Sequence, residues 1–264
     1  SHVGDSLLET YIDTVADIGR NVICIGTGNE GAAGGHAGGV LSDGQNTVIE
    51  LAVAAQESTL NIQLWKRYED DFSVRLTAPS GESLFLPEQQ GVLISDALAP
   101  VESASGVLTS GAVAPGAWEF VLDQTKLLVF IGRPTPYSLS QEIFVDMLPV
   151  GGPYIASGIW TIELIPERIV TGLYRLYLPS ESVLNRGTGF LSSTPDFTLT
   201  IPATANEGIA VAAYNSMYDS YADFSGRGSS DGSIALNAWK PDLAAPGVDI
   251  MSTKSGGGYD MYTG

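Results

Sequence analysis

The stretch Val22–Gly31, VICIGTGNEG, opens as a short apolar run and breaks into glycines that flank an asparagine and a glutamate. NVICI, residues 21–25, is β-branched and apolar on both faces, the pattern of a parallel strand covered by helices rather than of a strand with one wet face. Just upstream, Ser6 and Glu9 have capping-box spacing, and Leu7, Leu8, Tyr11, Ile12, Val15 and Ile18 recur at helical intervals up to Gly19. A helix over 6–18 followed by a buried strand predicts an α/β layer. Cys24, inside the apolar run, is expected to be a small buried hydrophobe.

From about residue 43 the texture changes. TVIELAVAA, LNIQLWKRY, FSVRLTA, WEFVL, KLLVFIG, QEIFVDMLPV, IWTIELIP and TGLYRLYLP are alternating or aromatic-rich runs separated by turn signals, with no helical run among them. That spacing predicts an antiparallel β-sandwich or jelly roll. In one run Trp160, Ile162 and Leu164 supply a buried face while Thr161, Glu163 and Glu167 stay outside. Near residue 199 the first pattern returns: EGIAVAAY (207–214) and APGVDIMST (245–253) each predict another short strand. The fold class is thus α/β with an inserted all-β antiparallel domain, the α/β part formed by 1–42 and 199–264 and the insert by 43–198. GAAGGHAGG (31–39) is expected to be a flexible connection into that insert.

Twelve Lys and Arg against thirty Asp and Glu leave a formal charge of −18, a field that repels phosphate backbones and anionic lipid. Nucleic-acid and membrane partners are therefore not expected. A single cysteine rules out an internal disulfide framework and leaves no thiolate cluster for zinc. No apolar stretch approaches the roughly 18 residues that span a bilayer, and the first residues, SHVGDSLLET, lack the regions of a signal peptide.

The strand running into Gly28-Asn29-Glu30-Gly31 resembles the oxyanion-hole segment of the subtilisin-like (S8) serine peptidases. GIAVAAYN, YADFSGRGSSDG and KPDLAAPGVDIMST resemble three further segments of that family and stand in its order. The second half of the insert, TPYSLSQEIFVDMLP and GIWTIELIPERIVTGLYRLYLP, resembles the jelly-roll insertion of clostridial subtilases, including the Csp germination proteases. The resemblance implies a partial subtilisin-like parallel sheet, Asn29 as the oxyanion donor, and Gly26, Thr27 and Gly28 as one wall of the S1 pocket. It also implies that the family's Asp and His belong upstream of residue 1, and that Gly264 is the glycine of a Gly-Thr-Ser whose nucleophile lies two residues further on. On this reading the chain is a central piece of a serine endopeptidase, inactive alone, acting with the missing catalytic segments on a protein or peptide substrate.

Two readings of other classes accompany it: a subtilase-fold pseudoprotease or signalling scaffold, and a binding module whose jelly roll recruits protein or carbohydrate. A catalytic sheet short of strands would leave unpaired edges, so dimerisation or strand exchange is expected. An acidic chain without disulfides suits a secreted and a spore-associated bacterial protein equally. Calcium, which many subtilases bind, finds no converging loop pattern here: Glu69, Asp70, Asp71, Asp219, Asp223 and Asp231 read as solvated turn carboxylates, and no metal or cofactor is assigned. His36 reads as a solvated loop residue, and His2 carries no role.

Overall fold

A computed structural model describes residues 4, 6–17, 21–87, 111–114, 117–132, 139–229 and 240–264. The chain divides into two compact units, Ser1–Ala33 with Pro195–Gly264, and Gly34–Thr194.

The first unit begins with α1 (Leu7–Asp17). The capping box forms: Ser6 N donates to Glu9 Oε2 at 3.0 Å and Glu9 N to Ser6 Oγ at 3.3 Å. The buried face differs from the apolar stripe in the sequence. Glu9 is fully buried while Leu7 is 92% and Tyr11 69% exposed, because the Glu9 carboxylate also accepts the Thr204 hydroxyl and Asp13 accepts the Glu207 N–H at 2.8 Å. Polar anchors to the 204–207 loop, rather than Leu7 and Tyr11, decide which side faces in. Ile18 and Gly19 lie outside the described residues. β1 (Cys24–Gly26) follows. Cys24 is exposed, not buried: among the described residues β1 pairs on one edge only.

The second unit comprises β2 (His36–Val40), β3 (Thr47–Val53), β4 (Leu60–Arg67), β5 (Asp71–Thr77), β6 (Ser83–Leu86), β7 (Gly111–Ala114), β8 (Ala117–Leu122), β9 (Thr125–Ile131), β10 (Ser140–Pro149), β11 (Gly158–Arg168), β12 (Leu173–Tyr177) and β13 (Gly189–Phe190). They form a seven-stranded sheet, β2-β12-β4-β10-β9-β8-β7, and a five-stranded sheet, β13-β3-β11-β5-β6, antiparallel throughout. Alternation supplies the core. Leu60, Ile62 and Leu64 of one sheet join one apolar cluster with Leu51, Trp160, Ile162 and Leu164 of the other. The Trp160 indole N–H is satisfied by Ala156 O at 3.0 Å.

Three expectations for this unit are corrected. The glycine-rich connection is partly strand: β2 is an edge of the larger sheet, paired with β12 from Val40↔Leu173 to Ala37↔Leu176, so the unit begins at residue 34 rather than 43 and ends at 194 rather than 198. His36 is buried, at 2% exposure, its ring 4.6 Å from that of Tyr177; Gly38 and Gly39 leave room beside it for Tyr174. Asp70 and Asp71 are buried, unlike Glu69. Asp70 accepts four hydrogen bonds, from the N–H groups of Val170, Thr171 and Gly172 and from the Thr171 hydroxyl. Burial raises its pKa, but those donors more than offset the effect and hold it below the ordinary aspartate value. Asp71 pairs with Arg168 at 2.6 Å.

The chain then returns to the first unit with β14 (Ile209–Asn215), β15 (Ser220–Tyr221), β16 (Leu243–Pro246), β17 (Ile250–Thr253) and β18 (Tyr259–Tyr262). β14 is central, with β1 and β16 parallel on either side; β15 pairs with its end in antiparallel sense. APGVDIMST is two strands, not one. It breaks after Pro246, where Gly247 N donates to Tyr214 O at 3.0 Å and Asp249 takes a positive φ of 53°, and among the described residues β17 pairs only with β18. The α/β layer thus carries a parallel sheet but, among the described residues, a single α-helix, and that helix is too short to cross a membrane.

Candidate functional site

In a parallel sheet the loops beyond the carboxyl ends of the strands gather at one rim, the usual place for a site. Here that rim carries the turn after β1 and the segments that follow β14 and β16.

β1 stays in register with β14 from Cys24↔Ile209 to Gly26↔Val211, and Thr27 N extends the pairing to Val211 O at 3.1 Å. The chain then turns at Gly28, whose φ of +86° favours glycine; a Cβ there would stand 2.4 Å from the Thr200 side chain. Thr200 N donates to Thr27 O at 3.0 Å, and Gly226 N to Gly28 O at 3.0 Å. Gly31 N donates to Phe224 O at 2.8 Å, and a Cβ on Gly31 would meet Ser225 O at 2.3 Å. The backbone on both sides of Asn29 is therefore bonded in place, while Asn29 itself is exposed.

Of the residues expected to form a pocket wall, Gly26 ends β1 exposed, with open space where a side chain would be, and Gly28 is half-buried against Thr200. Thr27 turns inward: it is 2% exposed and its Oγ1 lies 2.9 Å from Ser225 Oγ. Its main chain belongs to the turn, but its hydroxyl serves the interior.

The last residue returns to this turn. Gly264 N donates to Gly247 O at 3.0 Å, and Gly247 in turn is bonded to Tyr214 on β14. A carbon on Gly264 would lie 3.3 Å from Asn29 Nδ2. At the other end of the sheet Asp242 fixes β16 to β14, accepting Ala210 N at 2.7 Å and Lys240 Nζ at 2.8 Å. Partial burial raises its pKa, and the Lys240 ammonium and the Ala210 N–H outweigh that, holding it below the ordinary carboxylate range.

An exposed neutral amide on a pinned turn, facing another loop, can donate hydrogen bonds to a substrate oxygen without reorganising. Asp219 and Asp223 are exposed, and Asp231 lies outside the described residues. Among the described residues no three His, Cys, Asp or Glu side chains gather as metal ligands would. Thr200, Ser225 and Gly226 were not singled out in the sequence. FSGRG lies in a segment that resembles the family, but only its long-range contacts reveal that it clamps the turn.

The model of the subtilase family (peptidase S8) matches residues 185–264. Subtilisin amylosacchariticus from Bacillus subtilis subsp. amylosacchariticus and subtilisin E from Bacillus subtilis strain 168 are each 28% identical over 179 residues, covering 66% of this chain and 41% of the relative. The structure of the Clostridium perfringens CspB protease is similar over 100% of this chain and 49% of that one, with 30% identity and a TM-score of 0.82. The chain thus spans less than half the length of these relatives. With the parallel strands, the GNEG turn and the segments after β14 in one order, the chain belongs to the subtilisin-like serine peptidases of the subtilase family.

Proposed function

We propose that this chain supplies the oxyanion-hole amide, Asn29, and part of the S1 wall, through Gly26, Thr27 and Gly28, of a subtilisin-like serine endopeptidase acting on protein or peptide substrates. The supporting observation is the closeness of Gly264 to Asn29 Nδ2. In the family's Gly-Thr-Ser the nucleophile follows that glycine by two residues, within reach of a carbonyl whose oxygen faces the amide. The Asp and His of the triad belong, on this reading, before residue 1. Serine attack on the scissile carbonyl places negative charge on its oxygen. The neutral amide stabilises that charge at any working pH, whereas a carboxylate in its place would repel it. The intermediate then expels the amine to leave an acyl-enzyme, which water hydrolyses. The two-sheet unit is read as a jelly-roll insertion, a stabilising or docking module.

The test is peptide hydrolysis by the full-length protein, and its labelling by a serine-directed fluorophosphonate. Both are expected, and both should vanish when the serine two positions beyond Gly264 is changed to alanine. Residues 1–264 alone should show neither. Hydrolysis by residues 1–264 alone, blocked by the same reagent, would overturn the division of the site. A full-length protein that neither hydrolyses nor labels would leave a pseudoprotease scaffold.

A further inference from the structure

Ser225 is completely buried and follows no strand pattern, yet its hydroxyl bridges two parts of the sheet. A serine hydroxyl has one proton to give and two lone pairs to receive with. Ala213 N, on the central strand β14, donates to Ser225 Oγ at 2.9 Å. Thr27 Oγ1 lies on its other side, also at 2.9 Å. With the backbone N–H already pointing at it, the Ser225 proton is available to Thr27. The result is a relay from β14 to the residue two positions before Asn29. The neighbours of Ser225 complete the hold, Phe224 O accepting from Gly31 N and Gly226 N donating to Gly28 O. Three consecutive residues thus grip positions 27, 28 and 31, on both sides of Asn29. Only one of these grips, that of Ser225 on Thr27, is made by side chains.

We infer that Ser225, acting through Thr27, is a positioning residue that sets where the Asn29 amide stands, an inference that rests on reading Asn29 as the oxyanion donor. The physical argument is one of tolerance. An oxyanion donor works only within hydrogen-bond distance of the developing charge, and a displacement of about 1 Å can cost on the order of 100-fold in rate. Backbone bonds fix the path of the turn. The buried hydroxyl pair fixes its depth against β14, because Thr27 cannot drift without leaving a buried hydroxyl unpaired.

The experiment compares Ser225→Ala, Thr27→Val and Thr27→Ser, each alone and with Asn29→Ala, in the full-length protein, reading kcat and KM separately. Thr27→Val keeps the Ala213 bond to Ser225, so it reports on the relay even if Ser225→Ala does not fold. The expected result is a roughly 10- to 100-fold loss of kcat for Ser225→Ala and Thr27→Val, with KM unchanged for Ser225→Ala, recovery in Thr27→Ser of most of the kcat that Thr27→Val loses, and no further loss when either damaging change is added to Asn29→Ala. A merely structural role would give losses of equal size in both backgrounds. That result, or unchanged kcat in Thr27→Val, overturns the inference while leaving the oxyanion reading intact. If Asn29→Ala itself leaves kcat unchanged, the oxyanion reading fails first and this inference with it.

Discussion

A carbon placed on Gly264 would stand 3.3 Å from Nδ2 of Asn29, so the turn after β1 and the end of the segment beyond β18 share one rim of the parallel sheet. That separation is close for a carbon and a nitrogen, and Asn29 has solvent into which it can swing. In the full-length protein Gly264→Ala is expected to lower kcat about tenfold with a modest fall in melting temperature, since its φ of +155° favours glycine. Asn29→Ala is expected to cost about 10² to 10³ in kcat, a magnitude borrowed from subtilisin, on which it was measured. Steady-state kinetics with thermal melts separate the two effects; a large loss of Tm in Gly264→Ala would show that the glycine is needed for packing instead.

Gly28 and Thr200 are predicted to be coupled. A methyl on Gly28 meets Thr200 at 2.4 Å and sits on a backbone with φ +86°, so Gly28→Ala should destabilise by roughly 1–3 kcal/mol. Adding Thr200→Gly should recover the part due to collision and not the part due to the dihedral. Urea melts of the two single variants and the double one measure this; strict additivity would show that the contact is unimportant.

Asp70 makes the second unit sensitive to acid. Its pKa is lowered in the fold, so the stability it contributes is fully present above the unfolded aspartate value of about 3.9 and is lost as pH falls through the lower folded value. Asp70→Asn should cost roughly 2–3 kcal/mol at pH 7, since Val170, Thr171 and Gly172 exchange a charged acceptor for a neutral one. The gap between wild type and variant should narrow below pH 4. Denaturant melts from pH 7 to 2.5 check this, and a gap that stays constant would refute the assignment.

Trp160 is 2% exposed in the core shared by the two sheets. Trp160→Ala should destabilise that unit by about 3–5 kcal/mol, seen as a lower denaturant midpoint for its β-sheet signal.

The strands of the insert were legible because alternation is local: in β4, β10 and β11 every second residue faces a core, and the period shows in any window of six. β2 was not legible, because three of the five residues in HAGGV are small or lack a side chain and leave no pattern. What buries it is β12, about 135 positions later in the chain. Asp70 failed for the same reason. A buried aspartate looks like a solvated one until its donors at 170–172 are known. Asn29 was legible through its resemblance to the GNEG turn, but the residues that hold it, Thr200, Ser225 and Gly226, lie far along the chain and carry no local signature. Chemistry-bearing residues announced themselves, and their supports did not.

The glycine-rich edge strand also bears on how the two-sheet unit is to be isolated. A cut at residue 43, where the alternation begins, would remove β2, strip the hydrogen-bonding edge from β12 and expose Tyr177 and Leu176 to water. Such a fragment would present a fresh, flat, apolar strand edge and should self-associate. Begun at Gly34 and ended at Thr194, the same unit keeps its own selvedge: a strand of almost bare backbone, whose last bond is Thr194 N to His36 O at 3.0 Å, so that its two ends close side by side.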